Sequence, residues 1–89
     1  MNLVYTKQFK NDIKRVQKQK IAFEQELRTI VELLLEGQVM PAKYRDHRLA
    51  GKLSSCRDCH IRPDLLLLYQ ISNNDIILQR LGSHSELFR

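Results

Sequence analysis

The fold turns on residues Ser54–Gly82, SSCRDCHIRPDLLLLYQISNNDIILQRLG. Three segments of this stretch, about Ser54 to Ile61, Leu65 to Ile71 and Asp75 to Leu81, have the apolar content and length of β-strands, and Gly82 closes the last. Arg62-Pro63-Asp64 and Ser72-Asn73-Asn74 separate them, and both are rich in turn-forming residues. Tight turns make successive strands antiparallel. His60 at the end of the first strand, Asp64 at the start of the second, and Arg80 and His84 at and beyond the end of the third are therefore expected at one end of the sheet.

Upstream, Leu3-Val4-Tyr5 reads as a short β segment, and the Thr6 hydroxyl is placed to cap a helix. Phe9, Ile13 and Val16 recur at helical spacing, with Lys7, Lys10, Lys14, Arg15 and Lys18 largely on the other sides. After a break near Gln19-Lys20, a second apolar stripe runs through Phe23, Leu27, Ile30, Val31, Leu34 and Leu35, and Gly37 supplies a helix stop. Pro41 bars further helix, and Lys43 to Lys52, containing Asp46, His47 and Gly51, reads as a surface loop. Ser83 to Phe88 forms a short tail of about one helical turn. The order β-α-α-β-β-β predicts an α+β fold, a small antiparallel-rich sheet packed against an N-terminal helix pair. With 89 residues, the chain is expected to form a single domain over 1–89.

Fifteen Lys and Arg against ten Asp and Glu give a net charge of +5, which favours polyanionic partners. The charge is concentrated: Lys43, Arg45, Arg48, Lys52, Arg57 and Arg62 face only Asp46 and Asp58 in the same segment. The alternative for such a run is a solvated basic face without a ligand. The longest apolar run, Leu65 to Tyr69, falls far short of the ~20 residues that cross a bilayer. The first residues lack the apolar core of a secretory signal, so a cytoplasmic protein without membrane association is expected.

Cys56-Arg57-Asp58-Cys59-His60 matches the C-x-x-C-H pattern of covalent haem attachment. Strand geometry opposes it, because residues three apart point to opposite faces and the two thiols would not meet one macrocycle. The same geometry weakens a zinc site made from Cys56, Cys59 and His60 with His47 or His84. A redox role needs the first Cys at a helix N-terminus, and none is expected there. Two reduced thiols, no metal and no cofactor are the reading carried forward. A histidine taken singly is ordinarily a core or surface residue; the convergence of His60 and His84 with Asp64 and Arg80 is what sets these apart.

Three blocks then carry a family resemblance. Tyr44-Arg45-Asp46-His47 with Leu49 and Gly51, Arg57 through Tyr69, and Arg80-Leu81-Gly82-Ser83-His84-Ser85-Glu86-Leu87-Phe88 resemble the YafQ branch of the RelE-like toxins, and the likeness extends over the helix pair. The resemblance implies a RelE-like fold and a ribosome-dependent mRNA endonuclease. It also implies a cognate antitoxin encoded beside the toxin, through which the complex binds operator DNA. The family's functional positions fall on His47, His60, Asp64, His84 and Phe88, with Arg80 as the phosphate contact. Two departures, Cys56 where the family commonly has an aromatic residue and Leu65 where it often has Trp, remove base-stacking surface.

RNA carries its own nucleophile, the 2′-hydroxyl, so cleavage requires proton transfer and not a metal. A base and an acid are each worth roughly 10²–10⁴-fold when well placed, and histidine suits both roles near neutral pH. His60 and His84 are expected to share them, with Asp64 ionised beside a histidine and His47 in transfer or positioning. Arg80, assisted by Lys52 or Arg57, is suited to the charge that grows on the phosphate, and Phe88 to stacking on a base. A non-catalytic RNA- or ribosome-binding module and a zinc-binding structural protein are the alternatives.

Overall fold

The computed structural model describes residues 1–51 and 55–88. Strand β1 (Asn2–Tyr5) leads into helix α1 (Lys7–Lys18), helix α2 (Glu24–Leu35) and a 3-10 turn at Ala42–Tyr44. Strands β2 (His47–Arg48), β3 (Arg57–Arg62), β4 (Leu65–Ser72) and β5 (Asp75–Gly82) follow, and a short helix α3 (His84–Leu87) ends the fold. The sheet order is β1-β5-β4-β3-β2, with β1 parallel to β5 and the remaining pairs antiparallel. This is the expected α+β arrangement.

The local signals act as read. Thr6 Oγ1 accepts from the Phe9 amide at 3.0 Å, which fixes the start of α1. Gly37, at φ 67°, follows the end of α2. Pro63-Asp64 and Asn73-Asn74 form the two hairpin turns, with Asn73 in the left-handed region at φ 54°.

Two features depart from the expectation. His47 and Arg48, placed in a loop by their lack of periodicity, pair with Asp58 and Arg57 as a fifth strand. Two residues cannot show an alternation; the free edge of β3 supplies the pairing. The first strand of the C-terminal three begins at Arg57, with Ser55 and Cys56 before it and Ser54 outside the described residues.

One face of the sheet holds the main core. Leu65, Leu67 and Tyr69 of β4, Cys59 and Ile61 of β3, and Ile76, Leu78 and Leu81 of β5 pack with Phe9, Val16, Phe23, Ile30 and Leu34 of the helical layer. Leu66 and Leu68 point to the other face yet are also buried, which is why β4 reads as an unbroken apolar run. The β4–β5 register shifts between Leu68, opposite Arg80, and Tyr69, opposite Leu78, leaving Gln79 as an extra residue. That bulge lets Leu78 and Leu81, three apart, reach the same core.

Candidate active site

The second face of the sheet carries the site. Alternation along β3 sends Cys59 and Ile61 into the core and turns Asp58 and His60 the other way. Pairing of His47 with Asp58 brings β2 alongside, and the register of Leu66 with both His60 and Gly82 brings the end of β5 near His60. Ser83 then caps α3, accepting from the Glu86 amide while the Glu86 carboxylate accepts from its own, so His84 is set at the first helical position. The result is a run of three imidazoles: His47 and His60 have ring centroids 6.4 Å apart, His60 and His84 5.5 Å.

Two of the rings are oriented by an oxygen. The Pro63-Asp64 turn puts the Asp64 carboxylate against α3, where Oδ1 lies 2.6 Å from His84 Nδ1 and accepts from the His84 amide at 3.0 Å. The His84 backbone amide and then its imidazole hold the Asp64 carboxyl below its ordinary pKa. An ionised carboxylate only accepts, so His84 Nδ1 carries a proton and Nε2 is left for a substrate. His47 Nδ1 donates to the Arg45 carbonyl at 2.8 Å. That carbonyl is aimed by Arg45 itself, which stands in the left-handed region at φ 49°.

Asp58 lies between the other two rings. Its Oδ2 is 3.6 Å from His47 Nε2 and its Oδ1 is 3.8 Å from His60 Nδ1. Asp58 Oδ1 and His60 Nδ1 are buried and make no hydrogen bond among the described residues. Burial pushes the Asp58 carboxyl above its ordinary pKa, against the opposing pull of His60, His47 and His84. Asp58 was not among the expected site residues. The signal is its place on one strand face with His60, two positions away, within a run whose basic charge it otherwise only offsets.

The remaining expected residues are placed differently. Arg80 lies in one lateral row with Leu68, Asp58 and His47, two strands from Asp58. Its guanidinium is held by Asp12 of α1, with Nε 2.7 Å and Nη2 3.2 Å from the carboxylate. Arg57 is on the opposite face of β3 from His60. It donates to Asp46 Oδ2 at 2.8 and 3.2 Å, and Tyr69 OH donates to Asp46 Oδ1, so the trio ties the segment before β2 to the sheet. Phe88 follows α3, partly exposed, its amide donating to the His84 carbonyl. Lys52 lies outside the described residues. The structure thus brings together His47, His60, Asp64 and His84, adds Asp58, and does not bring Arg57 to them.

The cysteines stay apart. Cys59 is fully buried in the main core, where burial pushes its thiol pKa up, while the buried Cys56 donates its thiol to Gln79 Oε1 at 3.2 Å. Among the described residues no group of three or more His, Cys, Asp and Glu is arranged to hold a metal ion.

The sequence matches, over residues 1–89, the profile of the bacterial toxin of type II toxin-antitoxin systems, YafQ. The chain belongs to the YafQ family. It is 32% identical over 88 residues to the mRNA interferase toxin YafQ of Escherichia coli strain K12, covering 98% of this chain and 95% of that protein. Among solved structures it is similar to a copper-bound mutant toxin from Helicobacter pylori, at 34% identity and a TM-score of 0.93 over 99% of each chain. It is also similar to YafQ in the E. coli DinJ–YafQ complex, at 31% identity and a TM-score of 0.88, covering 99% of this chain and 98% of that one. The matched span runs from β1 to α3. No helix among the described residues is long and apolar enough to cross a membrane.

Proposed function

We propose that this chain is an mRNA endoribonuclease that cuts messages on the translating ribosome in the cytoplasm and is silenced by an antitoxin. The observation that carries the reading is the imidazole run itself, three rings within 6.4 Å of their neighbours, with His47 held by a carbonyl, His84 by a carboxylate and the Asp58 carboxylate beside His60. The names of its relatives support the substrate class and the partner: an mRNA interferase in one case and a DinJ-bound toxin in another.

Cleavage proceeds by transfer of two protons. One imidazole takes the 2′-hydroxyl proton, the 2′-oxygen attacks phosphorus, the bond to the 5′-oxygen breaks, and a second imidazole protonates that leaving oxygen. The products are a 2′,3′-cyclic phosphate and a 5′-hydroxyl. His84, with Nδ1 fixed by Asp64, and His60 hold the two transfer roles. Asp58 orients His60 and His47, and His47, between the Arg45 carbonyl and Asp58, positions the scissile phosphate. Arg80, rigidly held, contributes positive charge along its row, with Lys52 the second cation of the reading, and Phe88 offers a face for stacking. The antitoxin acts as an inhibitor and carries the complex to operator DNA.

The test is incubation with ribosomes programmed with a defined message. Cleavage giving 5′-hydroxyl ends is expected from the wild-type chain. Ribosome binding with the message left intact would overturn the reading in favour of a non-catalytic RNA-binding module.

A further inference from the structure

Beside the imidazole run is a second cavity. Strand β2 covers only Arg57 and Asp58 of β3, so among the described residues the outer edge of β3 from Cys59 to Arg62 has no strand neighbour. The 3-10 turn and α2 flank this edge and enclose a cavity of about 360 Å³, lined by Lys43, Arg45, Arg62, Glu26 and His60 among others. His60 belongs to both the cavity and the imidazole run.

The charge of the cavity is unbalanced. Arg62 is already committed, donating to the Ala22 carbonyl at 2.7 Å and to Glu26 at 3.1 Å, so Glu26 is neutralised by its own neighbour. Lys43 stands 5.1 Å from the centroid of the buried Tyr44 ring, which orients its ammonium without cancelling the charge. The exposed Arg45 side chain makes no hydrogen bond or ion pair among the described residues. Two cations are therefore left without an acid at the mouth of a cavity of the size that takes a small ligand.

We propose that this cavity is a nucleotide subsite, taking the RNA residue next to the scissile bond and gripping its phosphate with Lys43 and Arg45. The inference rests on the nuclease reading for its substrate: a strand whose scissile phosphate sits at His60 continues into the cavity that shares that ring. The Arg62–Glu26 pair forms a fixed wall of the cavity.

The test is amide NMR with four 2′-O-methyl trinucleotides of uniform sequence, which bind without being cleaved. At least one should shift the amides of Lys43, Arg45 and Ile61 together with that of His60. Arg45→Asn combined with Lys43→Gln should weaken that binding at least tenfold and lower its salt dependence by about one phosphate contact. Asn suits the left-handed backbone and keeps the carbonyl that His47 uses, so the fold should survive the change. Shifts confined to His47, His60 and His84, undiminished binding by the double variant, or no binding of any trinucleotide would each overturn the subsite. Message cleavage on ribosomes, scored in parallel with the wild-type chain, tests the nuclease separately. Cleavage without cavity shifts removes only the subsite, whereas cavity shifts without cleavage remove the nuclease and leave the cavity as an RNA-binding site with no scissile bond beside it.

Discussion

His84 and Asp58 are the residues at which the chemistry is most exposed to test. His84→Ala removes the ring whose Nε2 is free for substrate, and message cleavage should fall by about 10²–10⁴-fold while antitoxin binding is retained. Unchanged cleavage rates on programmed ribosomes would remove His84 from the mechanism. Asp58→Asn keeps shape but loses the charge that faces two imidazoles. Cleavage should fall by as much as about 10⁴-fold, the scale set by amidating a carboxylate that orients a catalytic histidine. The same variant should melt at a higher temperature near neutral pH. Because burial raises the Asp58 pKa in the fold, the folded chain keeps that proton to higher pH than the unfolded chain does. Its contribution to stability therefore declines as pH rises through the folded pKa, and the amide abolishes that decline. Thermal melts of both proteins from pH 4 to 8 measure it. Of this site, His60, Asp64 and His84 were legible from strand direction alone. The part of Arg80 was not, because its partner Asp12 is 68 positions away. Yet Asp12 occupies the apolar stripe of α1, three residues after Phe9 and four before Val16, and an acid on a buried stripe marks a buried partner.

At the scale of elements, α3 is too short to hold itself, and its position comes from a clamp onto α1. Arg15 donates to Asp12 at 2.6 Å and to the Leu81 carbonyl at 2.7 Å, and its Nε lies 3.0 Å from Glu86, which also closes the cap of α3. Glu86→Gln retains a capping side chain and loses only the ion pair, so it should cost less than about 1 kcal/mol in urea denaturation. Glu86→Ala loses both and should cost about 1–2 kcal/mol, with cleavage falling in the same order because His84 rides on this helix. Equal costs for the two would show that the cap is idle, and no cost for Glu86→Gln that the ion pair is. Gly82 lies under the clamp: a Cβ there would stand 2.6 Å from Arg15 Nη2 and 3.0 Å from Glu86 Oε1. Gly82→Ala should destabilise the chain by about 1–3 kcal/mol by forcing the clamp apart. The elements most visible in the sequence, α1, α2 and the two hairpins, are those set by local signals such as Thr6, Gly37 and Asn73. Strand β2, which delivers His47, was hidden because its conformation is imposed by a neighbour and not by its own two residues.

For the molecule as a whole, one buried carboxylate joins the helical layer to the sheet. Asp12 is pushed up by burial, but the Arg80 guanidinium, the Leu81 amide and Arg15 outweigh this and hold it below its ordinary pKa. A carboxyl depressed in the fold contributes stability that is present above its unfolded pKa, near 4, and lost as pH falls through the folded value. Acid unfolding should therefore steepen below about pH 4, and Asp12→Ala should flatten that limb while costing about 3 kcal/mol near neutrality, since it leaves the part-buried Arg80 guanidinium without its acid. An acid limb identical in the variant would place the titration elsewhere. The order of the sheet has a practical consequence for handling the protein. β1 and β2 are its opposite edges, four strand spacings or roughly 19 Å apart, and the imidazoles lie toward the β2 side and the end of α3. A peptide appended ahead of Met1 emerges at the far margin and should leave catalysis untouched. One appended after α3 would hang beside His84, so a toxin tagged there should be a weakened poison, easier to express and misleading to assay.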